Sequence, residues 1–297
     1  MDNSKKYLDP IMLSKIDNMA LRAKLVVEGY LVGKHKSPYH GFSVEFAEHR
    51  TYGQGDEIKH IDWKLYGKTD RYYVKRFEEE TNLRSYILLD TSKSMNYKSK
   101  NITKLKYGES LTAGLTHLMI NQKDAVGLIL FDDVIRKYIP PKTSKSHKNI
   151  IFSSLNKCRA GKNTNIKLIL DSMAERIKKS GLVILISDLL DDPKNVMKGL
   201  NHFRHNKQEV IVFHLIDKQE FNFTFSERTR FNDMETGETI TTDPWHIQSS
   251  YQDKIKLFIK KYKKECGDLK IDYVPIFTDQ GFDLALSEYI RKRHKSN

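Results

Sequence analysis

The sequence predicts an α/β fold with a mainly parallel sheet and helices on both of its faces, together with an irregular N-terminal segment that contains short strands. Two observations predict the sheet. From residue 85 onward, short apolar segments alternate with longer segments in which apolar residues recur every three or four positions, as in amphipathic helices. Several short segments are apolar at every position, as in Leu182–Ile186, which is typical of strands buried on both faces.

The first 84 residues show no such alternation. A helix is predicted over Ile11–Glu28, because apolar residues recur there at spacings of three and four. The stretch Tyr30–Gly55 is rich in Gly, His and Tyr, which indicates turns. Tyr72–Phe77 predicts a strand. We therefore expect residues 1–80 to form a helix and an irregular segment with short strands that packs on a main domain of residues 81–297.

The main domain is predicted to alternate strands, which are aliphatic and aromatic runs, with helices that carry one apolar face. The strands are predicted over Ser85–Asp90, Ala125–Phe131, Val134–Ile139, Leu182–Ser187, Val210–Ile216 and Lys270–Pro275. The helices are predicted over Thr103–Asn121, Asn165–Lys179, Pro193–Phe203, Tyr251–Lys264 and Phe282–Arg293. The segment 221–242 interrupts this order. Its alternating phenylalanines and the Thr236-Gly237 turn predict a β-hairpin insertion.

Composition limits the class of protein. The chain has 297 residues, of which 39% are hydrophobic and 30% are charged, values typical of a globular protein. The longest aliphatic run has five residues and the N-terminus lacks an apolar stretch, so we expect neither a membrane span nor a signal peptide. Cys158 and Cys266 lie far apart, which argues against a disulfide scaffold and a thiolate metal site. A cytoplasmic location is expected.

Oxygen-bearing side chains follow two of the predicted strands. The first strand leads into Asp90, Ser92 and Ser94, and the strand at 182–187 leads into Asp188. Thr164 lies at the predicted start of a helix between them. Ligands of α/β sheets bind at the carboxyl ends of strands. Two carboxylates and three hydroxyls suit a hard cation such as Mg²⁺ or Mn²⁺ better than Zn²⁺.

In this order and spacing, the five residues resemble the metal-ion-dependent adhesion site of a von Willebrand factor A domain. The resemblance implies a von Willebrand factor A-like, Rossmann-like fold. It also implies a metal with an open position, which an Asp or Glu of a protein partner completes.

The segment before the first strand resembles a narrower group, the bacterial domain-of-unknown-function family fifty-eight. The residues that carry this resemblance are Glu45-Phe46, Arg50-Thr51-Tyr52, Gly55-Asp56, Ile61-Asp62-Trp63-Lys64, Tyr73-Val74-Lys75, Phe77 and Glu80. It implies a non-enzymatic protein-interaction module that acts with a MoxR-type AAA+ ATPase in the assembly or chaperone-like maturation of protein complexes. The chain departs from the family at Gly67-Lys68-Thr69, where Ala-Arg is usual, and in lacking membrane spans.

Several patterns also have simpler interpretations. Asp and Ser often cap helices, so Asp90, Ser92 and Ser94 could serve only as caps. The Arg50–Trp63 block is interpreted as structural. The histidines show no metal-ligand spacing and are interpreted as surface or core residues. The lysines of the helix predicted at 251–264 are interpreted as its solvated face.

Two other functions stay open. A Mg²⁺-dependent phosphohydrolase could use Asp90, but its acid/base carboxylate is expected two residues later, where this chain has Ser92. Nucleic-acid binding is suggested by the net charge of +13, although the basic residues are spread along the chain. Gly67-Lys68-Thr69 matches the end of a Walker A motif, but Asp62 replaces the earlier glycine, so we do not expect an ATPase.

Overall fold

The computed structural model describes residues 9–34, 49–51, 53, 63–75, 83–99, 102–161, 166–225, 229–232 and 239–295. The helices are α1 (Pro10–Ser14), α2 (Met19–Lys34), α3 (Trp63–Thr69), α4 (Lys104–Asn121), α5 (Lys145–Asn156), α6 (Ile166–Arg176), α7 (Pro193–His205), α8 (Lys218–Asn222), α9 (Pro244–Asp268) and α10 (Asp283–Lys295). The strands are β1 (His49–Thr51), β2 (Tyr73–Lys75), β3 (Arg84–Asp90), β4 (Ala125–Phe131), β5 (Ile135–Lys142), β6 (Leu182–Ser187), β7 (Glu209–Ile216), β8 (Thr229–Asn232), β9 (Thr239–Thr242) and β10 (Asp272–Phe277).

The central sheet has six strands in the order β10-β7-β6-β3-β4-β5. All neighbouring strands are parallel except β5, which pairs antiparallel with β4 at one edge. All six residues of β6 are buried, as are Ser85–Asp90 of β3. The continuous apolar runs in the sequence reflect this burial on both faces of the sheet.

Two hydrophobic cores cover the two faces of this sheet. One contains buried residues of α2, α4, α5 and α10, including Val26, Leu111 and Tyr289. The other contains residues of α6, α7 and α9, including Met173 and Phe203. The predicted α/β class, with a mainly parallel sheet between two helical layers, is therefore confirmed.

The N-terminal helix is divided in the structure. The sequence predicted one helix over Ile11–Glu28, but α1 ends at Ser14 and α2 begins at Met19. The side chain of Asn18 accepts hydrogen bonds from the backbone N–H groups of Ala20 and Leu21, which caps the second helix. The prediction of one continuous helix was wrong because a good N-cap outweighed the apolar periodicity.

The helix α2 packs closely on α4. Gly114 of α4 faces Val26, and a Cβ atom at Gly114 would lie 2.6 Å from Val26 Cγ1. The buried Arg22 donates from Nη1 to Ser110 Oγ at 3.4 Å and from Nε to the Ile16 carbonyl at 3.1 Å. Because Gly114 has no side chain, the backbones of α2 and α4 can approach closely at this point. The division into residues 1–80 and 81–297 stays a prediction.

The region before α9 contains a short hairpin, in which β8 and β9 pair antiparallel. Phe223 lies outside this hairpin and ends α8 with a left-handed backbone, at φ 50°. Its ring contacts Phe225, Phe231 and Tyr251, so the alternating phenylalanines form an aromatic cluster.

The surface of α9 is rich in lysine. These side chains are exposed at Lys254, Lys256, Lys260, Lys261, Lys263 and Lys264, as predicted for a solvated face. Among the described helices, none is both long enough and apolar enough to cross a membrane.

Candidate metal centre

The predicted oxygen donors lie where two parallel strands end side by side. β3 and β6 are neighbours, and Leu89 of β3 pairs with Ile186 of β6. The helix after β3, α4, covers one face of the sheet, whereas α7, after β6, covers the other. The chain therefore leaves the two strands in opposite directions, which opens a crevice at their carboxyl ends. Such a switch point is the usual ligand site of an open α/β sheet.

Asp90, the last residue of β3, is fully buried in this crevice. Its Oδ1 accepts a hydrogen bond from the backbone N–H of Ser92 at 2.9 Å. Its Oδ2 accepts one from Ser187 Oγ, at the end of β6, at 2.6 Å. These two bonds fix the carboxylate between the ends of the neighbouring strands.

Ser92 and Ser94 lie in the tight turn that follows Asp90. Their Oγ atoms are 3.0 Å apart, and both residues are buried. The turn is closed by a hydrogen bond from the Met95 N–H to the Ser92 carbonyl at 3.2 Å, and Ser94 begins a short 3₁₀ helix. Both hydroxyls therefore project to one side, beside Asp90.

Asp188 follows β6 directly and is also buried. Its Oδ2 accepts a hydrogen bond from Lys104 Nζ at 2.7 Å, and the same ammonium group donates to Glu220 Oε1 at 3.1 Å. Lys104, the first residue of α4, is itself only 1% exposed. The structure thus brings together Asp90, Ser92, Ser94 and Asp188. The buried ammonium group of Lys104 lies on one side of them, next to Asp188.

Thr164, the fifth predicted donor, lies outside the described residues. The residues that flank its segment are anchored near the crevice. The Gly161 N–H donates to the Thr91 carbonyl at 2.6 Å, and the Ile166 N–H donates to Asp191 Oδ2 at 2.9 Å. A role of Thr164 at this site stays a prediction.

The family model described as "Protein of unknown function DUF58" matches residues 48–256. The chain belongs to this family. The family indicated by the sequence is therefore confirmed, and the fold has the predicted α/β class, with a mainly parallel sheet between two layers of helices.

Other proteins resemble this DUF58 chain more distantly. It is 21% identical over 232 residues to uncharacterized proteins of Mycobacterium bovis and Mycobacterium tuberculosis, an alignment that covers 77% of this chain and 73% of each relative. Among solved structures, it is similar to an aerotolerance-related membrane protein from Bacteroides fragilis, with a TM-score of 0.49 and 14% identity. It is also similar to the conserved hypothetical protein BatB from Bacteroides thetaiotaomicron, with a TM-score of 0.45 and 17% identity. Each of these two matches covers 72% of this chain and 99% of the other.

The electrostatics of this DUF58 site favour a bound cation. Burial and repulsion by Asp188 raise the pKa of Asp90 to about 7, although hydrogen bonds from Ser187 and Ser92 oppose the shift. Burial alone would lower the pKa of Lys104, but the charges of Asp188 and Glu220 raise it above its usual value. Lys104 bonds to Asp188 and not to Asp90, so the Asp90 carboxylate has no cationic hydrogen-bond partner among the described residues.

The donor chemistry fits Mg²⁺ or Mn²⁺. The donors are two carboxylates and two hydroxyls, all hard oxygen ligands. Within the described part of the chain, no cluster of three or more His, Cys, Asp or Glu side chains is suited to hold a metal ion. A cation in this crevice would be held by Asp90, Asp188, the hydroxyls of Ser92 and Ser94, and water.

Lys104 was not among the predicted site residues, although the sequence contains a signal for it. Lysine is unfavourable in the first turn of a helix, because the helix dipole places partial positive charge there. A lysine at this position of α4, after the N-cap Thr103, therefore indicates a nearby carboxylate partner. The sequence could not identify Asp188 as that partner, since the pairing joins residues 84 positions apart.

The segment resembling a Walker A motif is helical. Gly67-Lys68-Thr69 forms the end of α3, and Thr69 Oγ1 donates to the Leu65 carbonyl at 2.8 Å. A phosphate-binding loop must precede a helix and present free backbone N–H groups. This geometry agrees with the interpretation that the segment is not a nucleotide site.

Proposed function

We propose that this DUF58 protein is a non-enzymatic, metal-dependent protein-interaction module. The observation that carries the proposal is the pair of buried carboxylates, Asp90 and Asp188, beside the hydroxyls of Ser92 and Ser94 at the switch point of the sheet. A bound Mg²⁺ would supply a coordination position that an Asp or Glu of a partner protein could fill. Thr164 is proposed as a further ligand.

The residues around the centre are suited to hold ligands rigidly. Ser92 N–H and Ser187 Oγ fix both oxygens of Asp90, and Lys104 fixes Asp188. Pre-organised donors of this kind reduce the ordering cost of binding. Asp90 is poorly suited to act as a phosphohydrolase nucleophile, since it is fully buried. The chain also has Ser92 at the position where such an enzyme needs an acid/base carboxylate.

The proposed partner is a MoxR-type AAA+ ATPase, as the resemblance to the family implies. The protein would act with this ATPase in the assembly or chaperone-like maturation of other protein complexes. We propose a cytoplasmic location, because two buried free thiols, Cys158 and Cys266, suit a reducing compartment.

Capture of the ATPase tests the proposal. The immobilised protein is mixed with a purified MoxR-type ATPase from the same cell, in Mg²⁺ or in EDTA. Binding is expected in Mg²⁺ only, and Asp90→Ala is expected to abolish it. The control Asp253→Ala, at an exposed position of α9, is expected to bind like wild type. If wild type binds as strongly in EDTA as in Mg²⁺, or if Asp90→Ala binds as strongly as wild type in Mg²⁺, the proposal is contradicted.

A further inference from the structure

A basic pocket lies beside the candidate metal centre. It is a cavity of about 320 Å³ between the β4–β5 hairpin and the end of α5. Among the described residues, its wall contains four cationic side chains and no carboxylate: Arg136, Lys137, Lys157 and Arg159. A concave surface with one sign of charge attracts ligands of the opposite sign.

The basic pocket is lined in part by the backbone segment that carries the candidate metal ligands. Thr91, which lines the pocket, is the residue between Asp90 and Ser92. Gly161 also lines the pocket, and its N–H donates to the Thr91 carbonyl at 2.6 Å. Gly161 lies three residues before Thr164 and leaves no room for a side chain, because a Cβ atom there would clash with the Asp132 carboxylate. A ligand in the pocket would therefore lie next to the turn that carries Asp90, Ser92 and Ser94.

Two of the four positive charges in the basic pocket are uncompensated. Arg136 is paired, because its Nε donates to both oxygens of Asp132 at 2.8 Å. Arg159 donates from Nη1 to backbone carbonyls, of which that of Cys158 is at 2.8 Å. Lys137 and Lys157 are exposed and form no ion pair with any described residue. Within the described part of the chain, Lys137 and Lys157 thus line the cavity without a partner carboxylate, whereas Arg159 lies near the buried Glu109 carboxylate.

The pocket is suited to binding rather than to chemistry. Its described wall includes the thiol of Cys158, and burial raises the pKa of this thiol to about 12, so it stays protonated near neutral pH. No aromatic side chain of the described residues lines the cavity. Proteins that bind single-stranded nucleic acid commonly stack bases on aromatic rings, so this wall is better matched to carboxylate side chains.

We propose that the basic pocket binds acidic side chains of the same partner segment that supplies the metal-coordinating carboxylate. The proposal rests on the proposed function for the location of that first carboxylate. It adds that the partner segment is acidic beyond this residue, with further Asp or Glu residues that reach Lys137, Lys157 and Arg159. The metal centre would then set where the segment binds, and the pocket would select its charge.

Two short fluorescein-labelled peptides test this proposal. One has a single Asp in a Gly/Ser background, and the other has the same Asp followed by several Glu residues. Their binding is followed by fluorescence anisotropy in Mn²⁺ and in EDTA. The test variant is Lys137→Glu/Lys157→Glu, and the matched control is Lys198→Glu/Lys263→Glu, which changes net charge equally at exposed positions of α7 and α9.

The Glu-containing peptide is expected to bind wild type at least about fivefold more tightly than the single-Asp peptide, since several partly exposed charge pairs add to one contact. The test variant should lose this gain and keep metal-dependent binding of the single-Asp peptide. The control should behave like wild type. Equal affinity of wild type for both peptides, or equal losses in the test and control variants, would overturn the proposal.

Two further outcomes separate this inference from the proposed function. If the Glu-containing peptide binds through Lys137 and Lys157 but EDTA has no effect, the metal-dependent function is overturned while the acidic ligand of the pocket is supported. If a single-stranded oligonucleotide binds through the same lysines more tightly than the Glu-containing peptide, the acidic-peptide assignment is overturned in favour of nucleic acid.

Discussion

Replacing Asp90 with Asn should stabilise the metal-free protein at alkaline pH. The pKa of Asp90 rises from 3.8 to about 7 on folding, because the carboxyl is buried beside Asp188. At about 1.4 kcal/mol per pKa unit, ionised Asp90 costs the folded state up to about 4 kcal/mol. Asn removes this cost but also removes the acceptor of the Ser187 hydroxyl, which is worth about 1 kcal/mol. The expected net gain is therefore about 1–3 kcal/mol.

The pH dependence follows from the direction of the shift. Between pH 4 and 7 the folded protein binds a proton at Asp90 that the unfolded chain does not bind. The contribution of Asp90 to stability is therefore greatest at the acidic side and is lost as the pH rises through about 7. The advantage of Asp90→Asn over wild type should be full at pH above about 8 and small near pH 5.

Urea denaturation in EDTA at these two pH values measures the free energies of unfolding. The control Asp253→Asn, an exposed residue of α9, should stay within about 0.5 kcal/mol of wild type at both. Addition of Mn²⁺ should stabilise wild type and leave Asp90→Asn unchanged. The reasoning is refuted if Asp90→Asn is less stable than wild type in EDTA at alkaline pH. That result would mean that the hydrogen bonds of the Asp90 carboxylate contribute more free energy than its burial and its repulsion by Asp188 cost.

Three further changes have defined outcomes. Lys104→Met leaves the buried carboxylate of Asp188 and the partly buried carboxylate of Glu220 without their cation, so it should lower the free energy of unfolding in EDTA by about 3–5 kcal/mol, measured in urea, and a loss below about 1 kcal/mol would contradict the ion-pair network. Gly114→Ala should destabilise by about 1–3 kcal/mol, because its Cβ atom meets Val26, and an unchanged urea midpoint would show that α2 is not packed on α4. Thr164→Ala should weaken Mn²⁺ binding in a calorimetric titration while leaving stability in EDTA unchanged, and unaltered Mn²⁺ affinity would remove Thr164 from the ligand set.

The strands of the central sheet were predicted well because their burial on both faces gives them a recognisable run of apolar residues. A strand covered by helices on both faces must be apolar at nearly every position, and Leu182–Ser187 was predicted with the bounds that the structure has. The positions of Asp90 and Asp188 follow from the same logic, since parallel strands end at one edge of the sheet. The proximity of Asp90, Ser92, Ser94 and Asp188 could therefore be predicted from sequence order, and their role as metal ligands stays a prediction.

Helices were predicted less completely. The helix α5 was missed because its buried residues, which include Ile151 and Leu155, are few and lie among polar residues. The helix α9 begins at Pro244, seven residues before the predicted start, although Asp243-Pro244 is a typical beginning of a helix. Periodicity detects the apolar face of a helix but not the polar turns that extend it.

The ion pairs of Lys104 with Asp188 and Glu220 could not be predicted from the sequence. Each residue lies on a different connection, and only the folded sheet brings them together. The four-cation wall of the basic pocket is similar, because its residues come from β5 and from the end of α5. Contacts between separate connections depend on how the helices pack, which local patterns do not encode.

Direct Mn²⁺ binding tests the central claim most simply. Free Mn²⁺ is measured by electron paramagnetic resonance during a titration of the full chain. Wild type and Asp253→Ala are expected to bind one ion per chain, while Asp90→Ala and Asp188→Ala bind none with comparable affinity. If wild type binds no Mn²⁺, or if all four proteins bind it equally, the assignment of a metal centre to Asp90, Ser92, Ser94 and Asp188 is contradicted.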